Sequence, residues 1–170
     1  MKHLNLLLIL LTLLACDHTT KELTGFGGFD IDTNFSSLEK AAEFKNTMPD
    51  EYYCKSLELS TDIGTVSDIN ITTDTGKIIE VKFSSNENTN IEAIHKQFLS
   101  LNAGKKSKRF ENEIAIFNTY DSSNGTIYFI DIEYKKELLK NGKPKHDFSY
   151  LNKKAIEAGD KLIRSMASNH

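Results

Sequence analysis

The sequence predicts an α+β domain, in which an antiparallel sheet of about five to six strands carries about three helices packed on one face. Three observations lead there. Five runs alternate apolar and polar residues with a period of two, the pattern of strands whose sheet has one buried side. Two tight turns, Thr73-Asp74-Thr75-Gly76 and Asn124-Gly125, join neighbouring runs directly, so the sheet is antiparallel and not doubly wound. Two capping-box patterns and one long helical spacing place helices between and after the strands.

In chain order, residues 16–28 are polar and carry Gly25, Gly27 and Gly28, the composition of a tether, while Phe26 and Phe29 suggest that its distal part docks through an edge strand over 29–32. Ser36-Ser37-Leu38-Glu39 is a capping box for a first helix over 37–46, with Leu38, Ala41, Ala42 and Phe44 as a modest apolar stripe and Pro49 limiting its length. Three strands follow, over 53–60, 66–73 and 77–84, each with its apolar residues on one face: Leu57 and Leu59; Ile69 and Ile71; Ile79, Val81 and Phe83. Thr89-Asn90-Ile91-Glu92 caps a second helix whose stripe is Ile91, Ile94, Phe98 and Leu101, with Gly104 ending it. A hairpin spans 113–121 and 126–134, closed at Asn124-Gly125, and Tyr128, Ile130, Ile132 and Tyr134 share one face. Leu151, Ala155, Ala158, Leu162 and Met166 predict a last helix over 148–168, weakened by about 1 kcal/mol at Gly159. The domain is single and spans 29–170. Asp32-Thr33-Asn34 and Asn88-Thr89-Asn90 open similar units of helix then hairpin, too short a match to establish a repeat. The order of elements resembles small envelope lipoproteins of the BamE type and beta-lactamase-inhibitor-type repeats, a resemblance that implies a helix-on-sheet module binding other proteins.

The N-terminus carries the most specific motif. Residues 4–14 are apolar except Asn5 and Thr12, behind Lys2 and His3, and these 11 residues fall short of the roughly 20 that span a bilayer. The run ends in Leu13-Leu14-Ala15-Cys16, which closely resembles the bacterial lipobox. The resemblance implies that 1–15 is a lipoprotein signal peptide cut between Ala15 and Cys16, that the Cys16 thiol takes a diacylglyceryl group, and that the new amino group is acylated, with palmitate as the expected chain. One such chain holds a protein reversibly; two or three anchor it. The expected location is the cell membrane or outer membrane of a bacterium, with the domain outside the cytoplasm.

The chain carries a formal net charge of −3, distributed unevenly. Residues 16–94 hold 6 Lys and 15 Asp or Glu, whereas 95–170 hold 14 Lys or Arg and 9 Asp or Glu. Lys105, Lys106, Lys108 and Arg109 form the densest basic cluster, expected in a loop, and Lys135, Lys136, Lys140, Lys143 and Lys145 a second beside Gly142 and Pro144. Such lysines suit lipid headgroups, at about 1 kcal/mol each, or an acidic partner. Nucleic acid is excluded as a partner by the net acidic chain and the export signal.

No catalytic, cofactor or metal motif stands out. Asp30-Ile31-Asp32-Thr33-Asn34 begins like a calcium loop but has Phe35 where the sharp turn needs Gly and Ala41 where a bidentate Glu belongs. The five histidines, His3, His18, His95, His146 and His170, show no metal-binding spacing; His95, beside the second helix's stripe, reads as a boundary residue. Gly104-Lys105-Lys106-Ser107 lacks the upstream glycine of a P-loop, and Cys54 reads as a buried thiol. The sequence therefore points to a non-enzymatic envelope lipoprotein that binds a protein partner or supports envelope assembly. The alternatives are a periplasmic inhibitor or immunity protein, or a lipid-anchored enzyme with dispersed catalytic residues.

Overall fold

The computed structural model describes residues 24–101, 108–122, 125–135, 145–155 and 157. Two short strands, β1 (Gly25–Phe26) and β2 (Phe29–Asp30), form a hairpin of their own. Then come β3 (Lys45–Met48), β4 (Glu51–Ser60), β5 (Gly64–Asp74), β6 (Lys77–Thr89), helix α1 (Ile91–Leu101), β7 (Lys108–Glu111), β8 (Ala115–Asp121), β9 (Ile127–Tyr134) and β10 (His146–Asn152). Strands β3 to β10 make one antiparallel sheet of eight, in the order β3-β4-β5-β6-β10-β9-β8-β7. Each half is thus a helical segment followed by a four-stranded meander, and the two meanders meet where β6 pairs with β10, Val81 opposite Tyr150 and Phe83 opposite Phe148.

This corrects the expected fold class: the protein is mainly antiparallel β, not an α+β sheet of five to six strands under three helices. The predicted first helix over 37–46 is replaced by two 3-10 turns, Phe35–Ser37 and Glu39–Glu43, followed by strand β3. The cap is Asn34, whose Oδ1 accepts the Ser36 N–H at 3.1 Å, and Leu38 lies extended at φ −78°, ψ 137°, so no α-helical ladder crosses it. Apolar packing decides the path: Phe35 stacks on Tyr52 at 4.0 Å and meets Phe44 edge-on, whereas Glu39–Glu43 buries nothing.

The predicted last helix fails over its first part for a related reason. His146, Phe148 and Tyr150 are buried while Asp147 and Ser149 between them are half-buried, a period of two that makes β10. Residues 153–155 are helical; most of the remainder of 148–168 lies outside the described residues. The other uncounted strands, β3 and β7, are four residues long with every residue exposed, so no alternation announced them.

Where the pattern was strong the elements match. The Thr73–Gly76 turn closes β5 on β6 with Thr75 at φ +50° and Gly76 at φ +81°, the positive angles of a type I′ hairpin. Helix α1 buries Ile94 and Phe98 completely. Its cap is Asn90, whose Oδ1 accepts the Ala93 N–H at 3.1 Å; the Thr89 hydroxyl instead donates to the Thr65 carbonyl at 2.6 Å.

Helix α1, the β1–β2 hairpin and the 3-10 turns all cover one face of the sheet, where the core sits. Phe26 is its hub, edge-on to Phe83, Phe98, Phe129 and Tyr150 at 5.4–6.2 Å. Gly27 allows the hairpin this close: its φ is +61°, and a Cβ there would stand 2.6 Å from the Leu59 carbonyl oxygen. No helix among the described residues is long and apolar enough to cross a membrane.

The Tyr150 hydroxyl locks the hairpin to β10, donating to the Phe29 carbonyl at 2.7 Å and accepting from the Phe26 N–H at 3.3 Å. Tyr150→Phe orphans both groups and is expected to lower the unfolding free energy by about 1–3 kcal/mol in urea melts. The variant also carries a pH signature. Burial pushes the Tyr150 phenol well above its ordinary range, more than the Phe26 N–H bond lowers it, and Asp30 adds to the rise. From about pH 10 upward this phenol ionises in the unfolded chain and stays neutral in the folded one. The folded state then binds more protons, and stability falls as pH rises. Melts at successive pH values above 10 are expected to show a shallower fall for Tyr150→Phe than for the native chain.

Candidate functional site

Strand β9 points Ile127, Phe129 and Asp131 at the core, and Tyr128, Ile130, Ile132 and Tyr134 at the other face. Asp131 therefore occupies a position that alternation reserves for an apolar side chain, and it is 0 % exposed. Antiparallel pairing places Phe148 of β10 opposite it, with His146 two residues away on the same face, and Asn118 of β8 opposite on its other side. Helix α1, seated on this face by Ile94 and Phe98, brings His95 in from above.

The three side chains converge. His146 Nδ1 lies 2.8 Å from Asp131 Oδ1, His95 Nε2 lies 3.0 Å from Oδ2, and Asn118 Nδ2 donates to Oδ2 at 3.4 Å. His146 is almost wholly buried, whereas the His95 side chain is 36 % exposed, so the cluster touches solvent through its helix. Burial alone would raise the Asp131 pKa; the hydrogen bonds from His146 and His95, with the charge on both rings, bring it below the usual carboxylate range. The ionised carboxylate only accepts, so each facing ring nitrogen carries a proton. His146 lies parallel to Phe148, 8° between planes at 5.6 Å, and its backbone N–H donates to Ser85 Oγ at 2.9 Å, so ring and main chain are both held. The three donor atoms lie within 4.8 Å of one another, the one group of this kind among the described residues.

The opposite face of β10 has a different network. Asp147 accepts from Ser84 Oγ at 2.6 Å and from the Tyr134 hydroxyl at 2.8 Å, with Lys145 Nζ at 3.6 Å. The Asp147 bond holds the Tyr134 phenol above its ordinary pKa. These bonds lace β6, β9 and β10 together. A cleft of about 710 Å³ runs along the other side of α1, lined by Thr61, Asp62, Asn90, Ala93, Lys96 and Gln97, and does not include His95.

The residues singled out in the sequence are dispersed. Ala15, Cys16, Lys105 and Lys106 lie outside the described residues. Lys108 and Arg109 sit exposed on the edge strand β7, not in a loop, and Arg109 pairs with Glu111 at 3.2 Å, as does Lys135 at 3.1 Å. Asp30 and Asp32, of the failed calcium loop, accept from the Thr24 hydroxyl and the Asn152 amide. Cys54 is buried on β4, its thiol aimed at the Ser56 carbonyl. His95 is a partner of Asp131 and His146, not a mere boundary residue. The two it joins were passed over; the available signal was an acid in register with Ile127 and Phe129.

Comparison with protein-family models, curated proteins and solved structures finds no match to this chain.

Proposed function

We propose that this chain is a membrane-anchored bacterial envelope lipoprotein whose domain binds a protein partner outside the cytoplasm and is not an enzyme. The observation that carries the reading is Leu13-Leu14-Ala15-Cys16 at the end of a short apolar run, the pattern that fastens a chain to lipid through Cys16. The partner half of the reading is supported by strand β7. It closes one side of the sheet with an outer main-chain edge that no other described strand pairs, all four residues exposed, Phe110 64 % exposed among them. An unpaired edge is a template for an added strand. Lys108 and Arg109 on it, next in sequence to Lys105 and Lys106, favour an extended acidic segment of the partner.

Crosslinking with mass spectrometry on intact cells tests both halves. The native chain is expected to fractionate with membranes and to give crosslinks from Lys108 to one envelope protein. Cys16→Ala is expected to lose membrane fractionation; a processed Cys16→Ala chain that stays membrane-bound overturns the anchor. A Lys108→Glu, Arg109→Glu double variant is expected to lose the crosslinked partner while keeping the anchor.

The convergence of His95, Asp131 and His146 favours a second reading, a lipid-anchored enzyme whose residues are dispersed along the chain.

A further inference from the structure

We propose that His95 Nε2, His146 Nδ1 and an Asp131 carboxylate oxygen form a binding site for a divalent first-row transition metal of the zinc class. The site stands whether or not the chain is lipid-anchored.

Geometry comes first. The donors are carried by a helix and two neighbouring strands, so a packed core, not a loop, sets their positions. The two contacting pairs stand 2.8 and 3.0 Å apart and all three donors lie within 4.8 Å of one another, whereas donors about 2.0–2.2 Å from one tetrahedral ion are roughly 3.3–3.6 Å apart, so small rotations of the side chains bring the three onto one ion. The donor set then selects the metal. Two imidazoles and one carboxylate suit zinc and its first-row neighbours, whereas calcium and magnesium require oxygen ligands throughout. Three protein ligands leave a fourth position, and the partial exposure of His95 places it on the solvent side.

Charge supplies the second argument. Asp131 is fully buried, and among the described residues neither Lys nor Arg pairs with it; its partners are the two imidazoles and the Asn118 amide. A dication among the three donors neutralises this buried carboxylate more fully than hydrogen bonds alone. Binding to neutral imidazoles moves each ring proton to the nitrogen facing away from the metal, so the lone pair takes the place of the N–H now aimed at Asp131. No further reactant is needed. The surroundings fit the same reading: Asn118 holds Asp131 from behind and Phe148 holds the His146 ring, the supporting contacts that orient metal ligands.

The test uses the full chain in detergent, stripped with a chelator and titrated with zinc chloride in a calorimeter, then with cobalt(II), whose visible absorption reports coordination number. One zinc per chain and a tetrahedral cobalt spectrum are expected. His95→Ala, at a half-exposed position where water can enter, is expected to weaken zinc by at least about 100-fold while the metal-free variant keeps the native circular dichroism and a cooperative melt. His146→Ala is expected to do the same where it folds. His18→Ala, outside the described residues, is expected to leave binding unchanged. Failure of the native chain to bind zinc or cobalt stoichiometrically overturns the site, as does His95→Ala binding as tightly as the native chain; the cluster is then a hydrogen-bond network only.

Discussion

Phe98→Ala is expected to lower the unfolding free energy by about 3–5 kcal/mol, measured by chemical denaturation at neutral pH. Phe98 is fully buried where α1 meets the sheet, and its ring contacts four aromatic neighbours: Phe26 of the β1–β2 hairpin at 5.4 Å, Tyr120 stacked at 5.2 Å, Phe129 at 5.2 Å and Phe148 at 6.1 Å. Alanine there removes the ring's own burial and leaves a void that rigid strands on one side and a helix on the other cannot close. A domain of this size has about 5–15 kcal/mol in total, so the loss is a large fraction of it. Phe98→Leu, which keeps most of the volume, is expected to cost less than half as much. Equal losses for the two variants would show that the pocket relaxes freely and that α1 is not seated by this ring.

Asp131→Ala is the second large effect, about 3–5 kcal/mol, because it takes one partner from a buried charged network and leaves the others. His95 reaches water through its exposed edge, but His146 is enclosed, and its Nδ1–H loses its acceptor. The penalty therefore sits on His146. Replacing both, as in an Asp131→Leu, His146→Leu double variant, is expected to recover much of the stability, since two apolar side chains remove both the buried charge and the enclosed His146 donor. A double variant as unstable as the sum of the singles would place the cost in lost packing and not in unpaired polar groups.

The central strands, the Thr73–Gly76 turn and the buried part of the α1 stripe were legible in the sequence because each rests on local alternation or spacing, whereas Asn124 of the second predicted turn lies outside the described residues. The outer strands were not. Lys45–Met48 and Lys108–Glu111 bury no side chain, so only main-chain pairing makes them strands. At 148–152 two periods competed: Leu151 begins a run at helical spacing, yet Phe148 and Tyr150 are needed by the core, and tertiary burial won. The same strand hid the site. His95 was visible beside its stripe, but the apolar run Tyr128, Ile130, Ile132 and Tyr134 left Asp131 on what read as the outward face of its strand; His95 and Asp131 are 36 residues apart, and His146 faces them only once 146–152 is a strand. Convergence of that kind has no local spacing to read.

The meeting of β6 and β10 has a kinetic consequence. Every other pairing in the eight-stranded sheet joins strands consecutive in the chain, whereas this one brings together residues such as Ser84 and Asp147, 63 apart. Each meander closes through short loops, so its entropy of closure is small; the central pairing closes the longest loop of the sheet. Folding speed falls as contacts become more distant in sequence. The seam therefore sets the pace at which the two halves become one sheet, and side chains at it, Phe83 and Phe148 above all, govern how fast the protein folds as well as how stable it is.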